Sequence, residues 1–251
     1  MTQGAPPPVD LADALAIVRY GSDVLDEVLD ARLADALDHA PAAALVSRLD
    51  QLRRALQAGS PRAARRGTGL LGRLLGRDVQ AEAEALQLRD QIGVLLARAD
   101  TDADGLRARS AVQQALIDEV VRAVAAIEAR TAEARAWLDA HPDAGAVPGV
   151  VASPHERLLQ RLAQLDTVRA SWTTGAAQLA LLRDQSLDLL ARYQRIRDVL
   201  LPAWRQHALG AAAQAGGLRA AEAANAHAAI EAEVAAMAGT LDPRHATQAP
   251  E

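Results

Sequence analysis

Eleven positions constrain this chain more than any others. Stepping by three and four from Leu165 meets Leu165, Val168, Trp172, Gly175, Leu179, Leu182, Ser186, Leu189, Tyr193, Ile196 and Leu200. Nine of them are apolar, so the stretch reads as one long helix with an unbroken seam along one side. A seam of that length cannot stay in water and needs another helix against it. The preceding stretch supplies one. The same stepping gives Ala85, Leu88, Ile92, Leu95, Ala99, Asp102 and Leu106. After one extra step of four it gives Ser110, Gln113, Ile117, Val120, Val124, Ile127, Thr131, Ala134 and Leu138. The extra step is a stutter, which locally unwinds a supercoil.

The two seams predict helices over about 78–140 and 153–201. At a rise of ~1.5 Å per residue the first is roughly 95 Å long. His141-Pro142 stops it, and a loop with Gly145, Pro148 and Gly149 leads to Ser153-Pro154-His155-Glu156. That tetrapeptide holds the parts of a capping box: a capping serine, a first-turn proline and a glutamate at the third helical position. Pro202 is expected to kink or end the second helix. A turn this short folds the helices back antiparallel, with Trp137 and Leu138 near Leu158 and Leu162. The fold class expected is therefore all-α. It is an elongated antiparallel coiled-coil hairpin of two long helices, with shorter N-terminal helices and a C-terminal Ala-rich helix.

The rest of the chain reads as helix too. Leu11, Leu15 and Val18 predict a short helix ending near Gly21. Ser22 caps the next, with the face Leu25, Val28, Leu29, Leu33 and Leu37. Pro41 opens a third, carrying Leu45, Leu49, Leu52 and Leu56. Ile230, Val234 and Met237 mark the last. The divisions expected are a disordered 1–8, a helical region 9–58 and an Arg/Gly/Leu-rich linker or short helix 59–77. The hairpin with its C-terminal helix follows over 78–239, then a disordered tail 240–251. No strand pattern and no repeat of 20–50 residues is visible.

Composition agrees and narrows the function. There is no Phe, and aromatics total 2%, so the core must be built from thin aliphatic seams. A net charge of −5 argues against a nucleic-acid binder. Without Cys there is no thiolate nucleophile, disulfide framework or Cys-based zinc site. No basic stretch followed by an apolar run opens the chain, and none of its apolar runs reaches the ~20 residues of a spanning helix. The location expected is the cytoplasm, with peripheral membrane contact as an alternative.

Candidate chemistry is sparse. Residues 100–105 read DTDADG, as an EF-hand loop begins. Its twelfth position, which needs a bidentate carboxylate, is Ala111, and the helical phase runs through the cluster. The reading is a solvated stutter in a helix, weakened at Gly105 by about 1 kcal/mol. Gly67, Gly69 and Gly72 match a dinucleotide fingerprint that has meaning only after a strand. His227 and Glu231 stand four apart, which is half a metal site; zinc wants three or four protein ligands. Ser186 has no base patterned beside it and reads as a register-setting seam residue. The expectation is no catalytic residue, no cofactor and no metal. Arg62, Arg65, Arg66, Arg73 and Arg77 surround Leu70, Leu71, Leu74 and Leu75. This basic leucine-rich segment is a candidate contact with an anionic membrane surface or a partner. Its alternative role is docking on the helical body.

The stretch from Leu165 to His207 resembles the toxic-anion-resistance family, the TelA-like tellurite-resistance proteins. Arg169 matches the family's Arg and Gln178 a Gln of its helical run. Leu189, Arg192 and Gln194 match a leucine–basic–glutamine pattern, and Pro202 and Trp204 match the Pro-x-Trp element. The resemblance covers about 65–215. Ala177, Leu179-Ala180, Arg183 and Leu200 depart from the family pattern. The resemblance implies a cytoplasmic, largely helical protein tied to tellurite resistance and envelope stress. The residues fit a non-enzymatic protein acting on protein partners or by self-association. The alternatives are a membrane-surface scaffold using 62–77 and direct oxyanion binding by Arg192, Arg195 and Arg197.

Overall fold

The structure, a computed structural model, describes residues 7–37, 40–58, 77–142, 153–206 and 217–240. Six α-helices lie among them: α1 (Ala14–Arg19), α2 (Glu27–Ala36), α3 (Ala40–Ala58), α4 (Arg77–Ala140), α5 (Pro154–Arg195) and α6 (Gly217–Thr240). A 3-10 turn, Ser22–Val24, separates α1 from α2, and α5 continues through a π turn, Ile196–Leu200. There is no strand among the described residues, so the fold is all-α, with α4 and α5 forming the expected antiparallel pair.

The termini of the long helices follow from local chemistry. Ser153 and Glu156 cap α5 reciprocally: Glu156 N–H donates to Ser153 Oγ at 3.3 Å, and Ser153 N–H donates to Glu156 Oε2 at 2.9 Å. Asp13 and Asp26 cap α1 and α2, accepting from Leu15 N and Val28 N at 2.8 and 2.9 Å. A cap of this kind is worth ~1 kcal/mol. Ser22, expected to cap α2, instead opens the 3-10 turn, and Asp26 takes the role because it stands directly before the first helical turn. Pro202 does not end the helix, since 201–206 are helical. The proline lacks the N–H that an α turn requires. The turn before it widens, so that Leu201 N–H donates to Ile196 O, five residues back.

The chain divides into two compact units that do not follow its order. One comprises 1–38 and 112–183, the other 39–111 and 184–251. The change from one to the other comes near buried polar residues on both long helices: Ser110 and Gln113 on α4, Ser186 on α5.

In the first unit the hairpin register is written by ion pairs. Arg135 pairs with Asp166, and Arg169 with Glu128 at 2.9 Å. As one helix is descended the other is climbed, which is the antiparallel arrangement. Between them Val120, Ile127, Ala134, Leu138, Leu158, Leu162, Leu165, Trp172 and Leu179 form one buried cluster. Helices α1 and α2 lie across it and add Ile17, Tyr20, Leu29, Leu33 and Ala36. The face expected for α1 is the wrong one: Leu15 and Val18 are 53% and 64% exposed. Ile17 and Tyr20 are buried in their place, because Tyr20 reaches the carbonyl oxygen of Arg130 at 2.9 Å. Val28, expected on the inner face of α2, is also exposed, beside the buried Leu29 and Leu33.

In the second unit Ile92, Leu95, Ala99, Ala103 and Leu106 of α4 meet Leu189, Leu190, Tyr193 and Ile196 of the α5 rod. Over them lie α3, with Leu45, Leu49, Leu52 and Leu56 no more than 1% exposed, and α6, with Ile230, Val234 and Met237. All seven are the residues whose spacing predicts those faces. Asp102, expected on the seam, lies beside it, and Ala103 is the buried residue at that level.

Candidate functional site

The aspartate run 100–105 lies within α4, and its carboxylates meet specific partners. Asp100 accepts the phenol proton of Tyr193 at 2.6 Å and pairs with Arg197 Nε at 3.0 Å. Asp102 pairs with Arg48 Nε of α3 at 3.2 Å, and Asp104 pairs with Arg107 one turn on. Tyr193 is fully buried. Burial pushes its phenol well above the ordinary range, and the bond to Asp100 adds to the effect. The phenol therefore remains a donor at any physiological pH. Asp100 and Asp102 thus bind α4 to other helices, and Asp104 is spent within α4. No group of three His, Asp or Glu residues suited to a metal ion occurs among the described residues.

Next to Tyr193 on α5, Arg192 donates to Asp188 at 2.7 Å and to Glu233 of α6 at 3.1 Å. Arg195 pairs with the same Glu233 at 2.9 Å. The Asp188 bond, ahead of Glu233, raises the pKa of Arg192. Of the three arginines that sequence nominates for an oxyanion, two converge and Arg197 points elsewhere, to Asp100. A carboxylate already stands where the two converge. An anion entering there must displace Glu233, whose side chain is only 13% exposed. Glu233 was missed by sequence reasoning. Its signal is its place one residue before Val234 and three after Ile230, at the edge of the buried stripe.

The remaining family-matched residues fall into two groups. Leu189 is buried in the core, and Trp204 is half-buried and packs against it. Gln194 and Pro202 are exposed on the same rod. In the first unit Arg169 spans α5 to α4 through Glu128, and Gln178 is exposed. Arg169 and Gln178 thus lie in the first unit and the other five matched residues in the second. The segment 62–76 and the side chain of Arg77 lie outside the described residues, as do Gly67, Gly69 and Gly72. His227 Nε2 stands 3.4 Å from Glu231 Oε1, which also receives Gln57 of α3.

At the bend of the hairpin an open groove of about 340 Å³ is lined by Arg135, Leu138, Asp139, Pro142, His155 and Leu159. The indole of Trp137 stacks on His141 beside it, ring centroids 4.5 Å apart. Arg135 is engaged by Asp166, and the lining offers no hydroxyl nucleophile to pair with His155.

A second constellation, unmarked in the sequence, gathers at residues 20–23. Arg161 Nε donates to the carbonyl oxygen of Tyr20 at 2.9 Å and Nη2 to Ser22 Oγ at 3.3 Å. Arg130 pairs with Asp23 at 2.8 Å, and its own carbonyl receives Tyr20. Gly21 between them has φ +72°, and a Cβ there would lie 2.7 Å from Leu165 Cδ1. Further along α2, Trp172 Nε1 donates to Asp30 at 2.6 Å, Arg32 makes a two-pronged pair with Glu119 at 2.7 Å, and Gln113 donates to the Ala36 carbonyl at 3.1 Å.

The sequence is similar to that of Protein KlaA of Escherichia coli, 33% identical over 196 residues, an alignment covering 75% of this chain and 73% of KlaA. No family model and no solved structure matches the chain.

Proposed function

The chain belongs to the TelA-like toxic-anion-resistance family, with KlaA as a relative, and from that premise we propose that it acts in tellurite resistance as a non-enzymatic helical protein, through protein–protein contact. One observation carries the reading. The matched residues with ordered partners hold helices together: Arg169 to Glu128, Arg192 to Glu233, and Leu189 and Trp204 in the core. Side chains committed to packing and pairing leave the outer faces of the helices to do the work. Gln178, Gln194 and Pro202 are the matched residues on those faces.

The experiment is a deletion strain with a pull-down. Loss of the gene is expected to raise tellurite sensitivity, and the tagged chain to retain a partner or a second copy of itself. Unchanged sensitivity together with no partner contradicts the reading. Calorimetry of the protein with tellurite is expected to give no heat. A stoichiometric signal favours the oxyanion alternative and places Arg192 and Arg195 under test.

A further inference from the structure

We propose that α1 and α2 form an exchangeable arm, and that the groove they fill on the hairpin takes the same arm from a second copy of this chain. The inference rests on the reading that the protein works by association and names a surface for it. The arm's specific contacts run to one place. Tyr20, Asp23 and the Tyr20 carbonyl meet Arg130 and Arg161; Asp30 meets Trp172; Arg32 meets Glu119; the Ala36 carbonyl meets Gln113. Each is a bond from arm to hairpin, so an arm from another copy restores every one of them without new chemistry. Leu165 seats in the notch at Gly21, and Leu33 lies over Gly175, 3.5 Å from the position of an added Cβ. The groove is therefore shaped for this segment.

Once released, the arm must seat again on a hairpin, because it otherwise exposes Ile17, Leu29 and Leu33. Helices of six and ten residues are not stable alone in water, so they hold only while seated. Their ion pairs lie at the surface, where water competes for both partners. Helix α2 ends at Ala36 and α3, in the other unit, begins at Ala40. Exchange of an identical element between copies is a low-cost route to a dimer.

The chain has no cysteine, which gives a clean test. Arg32→Cys and Glu119→Cys chains are unfolded in urea together, refolded and treated with a short bis-maleimide. Exchange predicts a covalent dimer several-fold above that of either variant alone. An equal mixture of Glu128→Cys and Arg169→Cys chains, whose pair lies inside the hairpin, is expected to give none beyond its controls. A 32–119 yield no higher than its controls overturns the proposal, as does an equal yield from the 128–169 mixture. Light scattering on the unmodified chain separates the two readings. A dimer without 32–119 cross-links removes the arm and leaves self-association standing; a monomer at every concentration without cross-links removes the arm and self-association and leaves contact with a different protein standing.

Discussion

The hairpin is covered in one unit by α1 and α2 and in the other by α3 and α6, and the two covers are made of different materials. Helices α3 and α6 touch each other and bury Leu45, Leu49, Leu52, Leu56, Ile230, Val234 and Met237. Each such side chain contributes ~1.5–3 kcal/mol through burial, and the bonds at the rim, such as Arg48 to Asp102, decide register. Helices α1 and α2 bury Ile17, Tyr20, Leu29, Leu33 and Ala36, and are seated by Arg130, Arg161, Trp172 and Glu119. Burial sets affinity without direction; charged and hydrogen-bonded contacts set position and can be loosened by salt or acid. The α3–α6 cover is built to stay and the α1–α2 cover to be specific.

The largest effect expected is from Leu49→Ala. The residue is fully buried, and its truncation costs about 2–5 kcal/mol. Urea unfolding followed by hydrogen exchange reads it as lost protection in α3 and α6, with α1 and α2 much less affected. Uniform loss across both covers argues that the units unfold as one.

Gly21→Ala is expected to cost about 1–2 kcal/mol from the left-handed backbone alone, and more because Leu165 must move. Its effect should be confined to 14–36. A substitution that leaves Trp172 emission and exchange of that segment unchanged removes the notch from the account. Gly105→Ala has the opposite sign. Beyond the helix's own adjoining backbone no atom lies within 4 Å of the added methyl, so the helix gains about 1 kcal/mol, seen as a higher urea midpoint.

Acid provides the finest comparison. The Arg130 bond holds the Asp23 carboxyl below its ordinary range, and the Arg32 bond does the same for Glu119. Groups depressed in the folded state stabilise it above the unfolded carboxylate pKa, and that contribution is lost as pH falls through the folded value. The arm should thus hold from neutrality to about pH 4 and loosen below it. In a W137F/W204F background, the emission of Trp172 should shift to the red in that window. A shift on raising the pH from neutrality towards 9 contradicts the assignment.

Much of this architecture was legible because a hairpin of long helices writes itself as periodicity. The end of α4 at Ala140 follows from His141-Pro142, the cap of α5 from Ser153 with Glu156, and the buried residues Leu165, Trp172, Leu189, Tyr193 and Ile196 from spacing. What escaped depends on partners far away in sequence. In a helix as short as α1, Leu15 with Val18 and Ile17 with Tyr20 fit the period equally. The tie is broken by Arg130, which lies 110 residues on. Pro202 breaks an ordinary α turn, and the π turn that accommodates it leaves no mark in composition. The matched residues Arg169 and Arg192 were found, but Glu128 and Glu233 opposite them could be paired only once α4 and α6 were in place.

Amide hydrogen exchange at low and at molar salt measures the contrast most directly. Protection of 14–36 should fall several-fold as salt rises, while that of 40–58 and 230–237, held mainly by buried leucine, isoleucine, valine and methionine, falls much less. If both covers respond alike, or α3 and α6 loosen first, the division into a polar cover and an apolar one is wrong.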